Sequence, residues 1–258
     1  MENIFIKEKC EGILFTNGVY LEKFLPYIPE KLHILINVNT PDAMNEEQWN
    51  KMNSTLDEIY SLGWFKNKVI IGCNICMEID NYDFLWSIVD KYGLRNVRVS
   101  VTAPTKEEYK QDKDKYYQTM LPKFVNFVKE AKKHSVKLSR DCNQIPDCYY
   151  ENIEDLQLVK QICRNENENE DRKQAHCGPV VDITPDFTAS ACFGAYEIVD
   201  CNLFNKYSDL EYYLLNKIIM PKFINNCTGK CSTCKKHELF TCQGGCLAFS
   251  KINKKGCK

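Results

Sequence analysis

Five short apolar runs mark the first 150 residues, and stretches with a helical period separate them. The runs are GILFTNG at 12–18, LHILINVNTP at 32–41, KVIIGCNIC at 68–76, NVRVSVTAP at 96–104 and VKLSRDC at 136–142. Nearly unbroken apolar runs of this length predict strands buried on both faces of a parallel sheet. Between them, residues 44–63 set Trp49, Met52, Leu56 and Ile59 at helical spacing, with Gly63 as a C-terminal stop. Residues 83–94 and 116–135 carry the same period. Pro122 predicts either a kink in one long helix or the start of a second. Repeated β–α units with right-handed crossovers predict a parallel sheet, open or curled toward a barrel.

The pattern then breaks. Residues 164–173 (RNENENEDRK) are polar and of low complexity, which reads as a solvated loop or linker. Residues 178–194 alternate apolar and polar positions around PDFT, which predicts a β-hairpin. A helix is expected at 208–223, followed by a cysteine-rich tail. The expected organisation is therefore an α/β part over 1–150, a helix and polar linker over 151–176, and a small cysteine-rich domain over 177–258.

Composition narrows the classes. Of 258 residues, 44% are hydrophobic and 27% charged, as in ordinary globular chains, and the net charge is −1. No bulk field points to nucleic acid or to a membrane surface. No apolar run is long enough for a bilayer. The opening MENIFIKEKCEG puts charges where a signal peptide needs an apolar core, so a cytoplasmic location is expected. Thiols stay reduced there, and clustered cysteines read as metal or cluster ligands rather than disulfides. An odd total of 15 cysteines also argues against a fully paired framework.

The tail pairs Cys231 with Cys234 in C-x2-C and Cys242 with Cys246 in C-x3-C, and ends in Cys257. Two thiolates two residues apart can reach one metal or cluster from a single turn. The glycines of CQGGC let the backbone bend closely around a bound group and offer N–H groups to cluster sulfides. Zinc needs four N or S ligands in a tetrahedron. Iron–sulfur clusters take cysteine thiolates almost exclusively. The tail's one histidine, His237, lacks a spaced partner, which weighs against zinc. Upstream, Cys142 and Cys148 follow the fifth strand, and Cys177 and Cys192 bracket the hairpin. A hairpin that folds back would bring its two ends together, and the total suffices for two four-thiolate clusters. Cys73 and Cys76 also form C-x2-C, but core packing plus a loop residue explains them equally well. Cys10, Cys163 and Cys201 read as isolated small buried residues.

The order C…hairpin…C…C-x2-C…C-x3-C…C, with CQGGC as its fourth element, resembles the SPASM domain. That domain binds auxiliary 4Fe–4S clusters at the C-terminus of radical S-adenosylmethionine (SAM) enzymes, many of which modify peptides. ILFTNG, ILINVNTPD, KVIIGCNIC and VRVSVTAPT resemble the third to sixth strands of the radical SAM barrel. The resemblance implies a partial (β/α) parallel barrel followed by a SPASM-like iron–sulfur domain with one or two 4Fe–4S clusters. It implies one cluster on Cys231, Cys234, Cys242 and Cys257, and a second on Cys177, Cys192 and Cys246 with Cys148 or Cys142. It places Asn39 and Asn74 on the SAM side of the barrel and implies a peptide or protein substrate.

The departure from the family is that no C-x3-C-x2-C loop and no Gly-Gly-Glu segment precede TNG. The one C-x3-C-x2-C, at Cys227, Cys231 and Cys234, lies in the tail and reads as overlap with auxiliary ligands. SAM binding is then expected only if the missing barrel half is supplied. GILFT would form a sheet edge that either MENIFIKEKCE covers or that self-associates or pairs with a partner bringing those strands. The alternatives are a non-enzymatic electron-transfer or cluster-carrying module and a zinc-stabilised interaction domain.

Overall fold

The computed structural model describes residues 12–104, 106, 109, 112–140, 143–163, 181–184, 186–192 and 197–250. The chain divides into two compact units. Unit 1 takes Met1–Ser100, Lys123–Asp141 and Glu154–Asn165, and unit 2 takes Val101–Pro122, Cys142–Ile153 and Glu166–Lys258. This differs from the expected division at residue 150. Residues 101–122 and 142–153 group with the C-terminal part rather than with the sheet.

Unit 1 is α/β. Its strands β1 (Gly12–Thr16), β2 (Leu32–Asn37), β3 (Val69–Ile75), β4 (Asn96–Val101) and β5 (Lys137–Arg140) form one sheet in sequential order. The registered pairs β1–β2, β2–β3 and β4–β5 are all parallel. Helices α1 (Glu46–Ser61), α2 (Asp83–Tyr92), α3 (Lys113–Lys133) and α4 (Ile153–Ile162) supply the crossovers and the segment after β5. Asn45 starts α1 with a full capping box: its side chain accepts from Gln48 N at 2.8 Å, and Gln48 Oε1 accepts from Asn45 N at 3.1 Å. Such a cap is worth about 1 kcal/mol. Met52, Leu56 and Ile59 on α1 are buried, as their spacing predicts. Thr55 joins them because its hydroxyl donates to the Gly18 carbonyl at 2.9 Å. Pro122 lies inside α3, which runs on as one helix.

The expectation of strands buried on both faces is corrected by β1. Its burial alternates, and Ile13 and Phe15 are 59% and 56% exposed. β4 alternates too, with Val97, Val99 and Val101 buried and Arg98 and Ser100 half-buried. An apolar run fixes where a strand is but not whether its second face is covered. β1 stands at the sheet edge, where coverage is least.

In unit 2, β6 (Asp182–Ile183), β7 (Thr188–Ser190) and β8 (Ile198–Asp200) form an antiparallel sheet in that order. The predicted hairpin is its first pair, and β8 adds a third strand. The helix expected at 208–223 is α5 (Tyr207–Tyr213), a π-helical segment (Leu214–Ile219) and α6 (Met220–Asn225) in succession. A small core joins the two layers. Ala189, Ala191 and Val199 pack with Leu210, Leu214, Ile218, Ile219 and Leu247, and Cys192 and Cys201 pack partly against it. Each such leucine or isoleucine gains roughly 1.5–3 kcal/mol from burial. Among the described residues no helix is long and apolar enough to cross a membrane.

Candidate metal centre

The tail is built on the first residues of α3, all within unit 2. Asp114 anchors the turn that carries Cys231. Its carboxylate accepts from Lys230 N at 3.1 Å and from the Tyr149 hydroxyl. Gly229 is packed so closely that a Cβ there would lie 2.3 Å from Asp114 Oδ2. Asp114 thus ties the turn holding Cys148 to the turn holding Cys231, and the Lys230 ammonium lies 4.8 Å from the centre of the Tyr149 ring at the exposed edge of this contact.

Tyr117, fully buried, anchors the other end. Its hydroxyl oxygen accepts from Cys246 N at 2.7 Å and lies 3.3 Å from Asn143 Oδ1. Asn143 in turn donates to the Val101 and Thr102 carbonyls at 2.7 and 2.9 Å. Tyr116, Tyr117, Tyr149 and Phe249 pack ring to ring behind these contacts. Burial drives the Tyr117 hydroxyl far above the ordinary phenol range, and the neighbouring Cys246 adds to this. Tyr117 therefore stays a neutral hydrogen-bonding strut.

Between the two anchors lie the thiols. Cys231 is buried, Cys234 and Cys242 are half-buried, and Cys148 is exposed. Burial pushes the Cys148 thiol up, and then the charges of Cys231, Cys242 and Cys234 act on it, opposed by Lys230. Burial likewise raises Cys242. The Gly244 N–H lowers it, Cys231 and Cys234 raise it, and Lys113 lowers it. Gly244 N donates to Cys242 Sγ at 3.4 Å. Lys113 Nζ donates to Cys231 Sγ at 3.3 Å. Gly244 and Gly245 both take positive φ, +76° and +88°. A Cβ on Gly244 would come 2.7 Å from the Asn226 carbonyl and 3.2 Å from Cys231 Sγ.

Of the expected sets, Cys231, Cys234 and Cys242 of the first and Cys148, Cys192 and Cys246 of the second lie within the described residues. The turn of Cys148 is joined to the turn of Cys231 through Tyr149, Asp114 and Lys230 N. Cys192 packs against the small core beside β7. Cys142, Cys177 and Cys257 lie outside the described residues. Cys227 alone among the described cysteines is disulfide-bonded, and it belongs to neither expected set. His237 Nδ1 faces the Cys242 carbonyl at 3.0 Å, so that nitrogen is committed to the backbone.

The donor set suits an iron–sulfur cluster in its chemistry: all thiols, with the Gly244 N–H aimed at Cys242 Sγ. A tetrahedral zinc would need its sulfurs drawn to about 3.8 Å of one another, from Zn–S bonds of about 2.3 Å. Among the described residues no three His, Cys, Asp or Glu side chains are grouped to hold a single ion. A four-iron cube seats one thiolate on each iron and so takes sulfurs farther apart.

In unit 1, Asn74 Oδ1 accepts from the Ser100 hydroxyl at 2.6 Å. Asn39 follows β2 and is exposed. The period of two on β2 puts Asn37 on the sheet face shared with Leu35 and Gly72, and Asn39 lies beyond the end of the strand. A Cβ on Gly72 would lie 2.6 Å from Asn37 Oδ1, and that buried oxygen has no hydrogen-bond partner. The Arg98 guanidinium lies 5.2 Å from the centre of the Phe15 ring on the same face. Cys73, on β3, is a buried thiol pushed far up by burial, which is the core-packing role. Sequence reasoning missed Asn37, Lys113, Asp114 and Tyr117. Strand alternation could have found the first, whereas the others are fixed by contacts remote in sequence. Compared with protein-family models and with curated proteins, the chain matches none.

Proposed function

We propose that unit 2 holds an iron–sulfur cluster on the thiolates of Cys148, Cys231, Cys234 and Cys242. The ties between their turns carry the reading: Asp114 accepts from both the Tyr149 hydroxyl, next to Cys148, and Lys230 N, next to Cys231, and the Gly244 N–H meets Cys242 Sγ. The resemblance to SPASM domains supports it and supplies the nuclearity, a 4Fe–4S cube. A second cluster on Cys177, Cys192 and Cys246 with Cys142 stays part of the proposal, as does a cytoplasmic location, although the Cys227 disulfide runs against the expectation that every thiol there is reduced. When bound, a cluster of this type supplies one-electron chemistry. The residues of this chain hold it: Asp114 and Tyr117 fix the turns, and Gly244 N–H and Lys113 face the sulfurs.

SAM cleavage is not assigned to this chain, because its C-x3-C-x2-C lies in the tail and not after a barrel strand. Asn39 and Asn74 would meet SAM only with further barrel strands beside β1, and a peptide or protein substrate belongs to that completed form. Anaerobic reconstitution tests the reading. The chain should take up iron in preference to zinc, and with SAM and dithionite it should yield no 5′-deoxyadenosine above a cluster-free control. Repeated turnover would show that the tail C-x3-C-x2-C, or another site, initiates radicals after all.

The β1 edge belongs to the same picture. Its Ile13 and Phe15 side chains are exposed beside an edge that natural sheets usually cover or charge. The isolated chain should therefore self-associate. Ile13→Lys is expected to shift it toward monomer in sedimentation velocity without changing its iron content. Leu14 is a poorer choice for this test, since β1 turns it toward the better-buried side. A monomeric parent chain would contradict the pairing.

A further inference from the structure

Lys113 is the first residue of α3 and is 3% exposed. Its ammonium donates to the Asn226 carbonyl at 3.1 Å, to Asn226 Oδ1 at 3.3 Å and to Cys231 Sγ at 3.3 Å. A buried ammonium is costly unless an opposite charge compensates it. Unit 2 contains a direct comparison. Lys222, equally buried, meets Glu197 Oε1 at 3.1 Å and the Ser250 carbonyl at 2.8 Å. Lys113 has no such acid: among the described residues no carboxylate pairs with its ammonium. The next residue, Asp114, is already committed to the Tyr149 hydroxyl and the Lys230 N–H. The amide oxygens of Asn226 are neutral, so the anionic partner open to Lys113 is on the sulfur side.

We propose that Lys113 is the buried counter-charge of the metal centre, a positioning residue that stabilises an anionic iron–sulfur cluster at Cys231 and eases its reduction. This inference rests on the cluster reading above. Four thiolates around a four-iron core leave the assembly net negative, and an added electron makes it more so. A fixed positive charge in contact with one sulfur therefore favours the reduced form over the oxidised one. The effect is large where the surroundings exclude water and small at the surface. Lys230, exposed beside Cys148, is screened by solvent and makes the natural control. Lys113→Met keeps the stem and removes the charge. If Lys113 served only to brace Asn226 and the tail, its loss would lower the melting temperature and leave the potential where it was.

The test is a dithionite titration of the reconstituted full-length chain, with redox mediators and EPR detection of the reduced cluster. Parent, Lys113→Met and Lys230→Met chains are compared after circular dichroism shows that each is folded. At the parent's midpoint, the ratio of reduced to oxidised cluster should fall at least tenfold in Lys113→Met, a shift of about 59 mV for one electron. Lys230→Met should change that ratio less than twofold. Equal iron and equal midpoints in parent and Lys113→Met would overturn the role of Lys113 while leaving the cluster intact. A parent chain that takes no iron would overturn the cluster reading itself. Should Lys113→Met fail to fold or load, the Lys230→Met chain labelled with lysine 15Nζ decides. Pulsed EPR of its reduced cluster should show coupling to a lysine nitrogen, and its absence would overturn the proposal.

Discussion

Replacing Cys148 by serine is expected to remove about four irons from the reconstituted chain, the content of one four-thiolate cube. Cys231→Ser, Cys234→Ser and Cys242→Ser should each do the same. Cys148 lies 83 positions before Cys231, and no spacing motif joins them. The prediction rests on the fold alone. The 3-10 turn carrying Cys148 is held by Tyr149, whose hydroxyl donates to Asp114, which in turn accepts from the Lys230 N–H one residue before Cys231. Asp114 thereby joins the turn of Cys148 to the turn of Cys231. Cys163→Ser is the contrast. That thiol is buried and pushed up to about 11 by desolvation, with Arg140 as the only charge opposing it. Its loss should leave the iron content unchanged. If Cys148→Ser keeps all its iron while Cys231→Ser loses four, a residue outside the described set, such as Cys257, completes the ligands.

Gly245→Ala should destabilise unit 2 and reduce cluster loading together. Gly245 has φ +88°, which side chains rarely adopt, and a Cβ there would lie 2.5 Å from the Tyr117 hydroxyl oxygen. Tyr117 cannot step aside, because it is fully buried and its ring packs on Tyr116, Tyr149 and Phe249. The backbone strain costs about 1–3 kcal/mol. Losing the bond from Cys246 N to Tyr117 adds about 1 kcal/mol. The melting temperature should fall by several degrees, and iron uptake should fall with it. Gly63→Ala isolates the conformational part: Gly63 also has positive φ, +71°, but nothing stands within 4 Å of the added methyl. It should lower stability by about 1 kcal/mol and leave iron uptake alone. Equal effects of the two substitutions would mean that the Tyr117 contact does not hold the CQGGC turn.

Much of the fold was legible because local pattern and tertiary role coincide. The five apolar runs became the five strands, and Met52, Leu56 and Ile59 became the buried stripe of α1. The alternation around PDFT became β6 and β7. What failed was local pattern read as global coverage. The run in β1 looked like a strand buried on both faces, yet an edge position leaves Ile13 and Phe15 exposed. The site was legible in its tail and not in its support. Cys231, Cys234 and Cys242 announce themselves by spacing. Lys113 and Asp114 sit in a polar stretch with nothing to mark them. Their role comes from long-range contacts with Asn226, Cys231 and Lys230, which no short-range period encodes.

The most direct measurement is Mössbauer spectroscopy of the full-length chain reconstituted anaerobically with 57Fe, alongside zinc analysis of the same sample. A 4Fe–4S spectrum, with zinc at background and about four irons lost on Cys231→Ser, is the predicted result. Stoichiometric zinc with no iron taken up would contradict it.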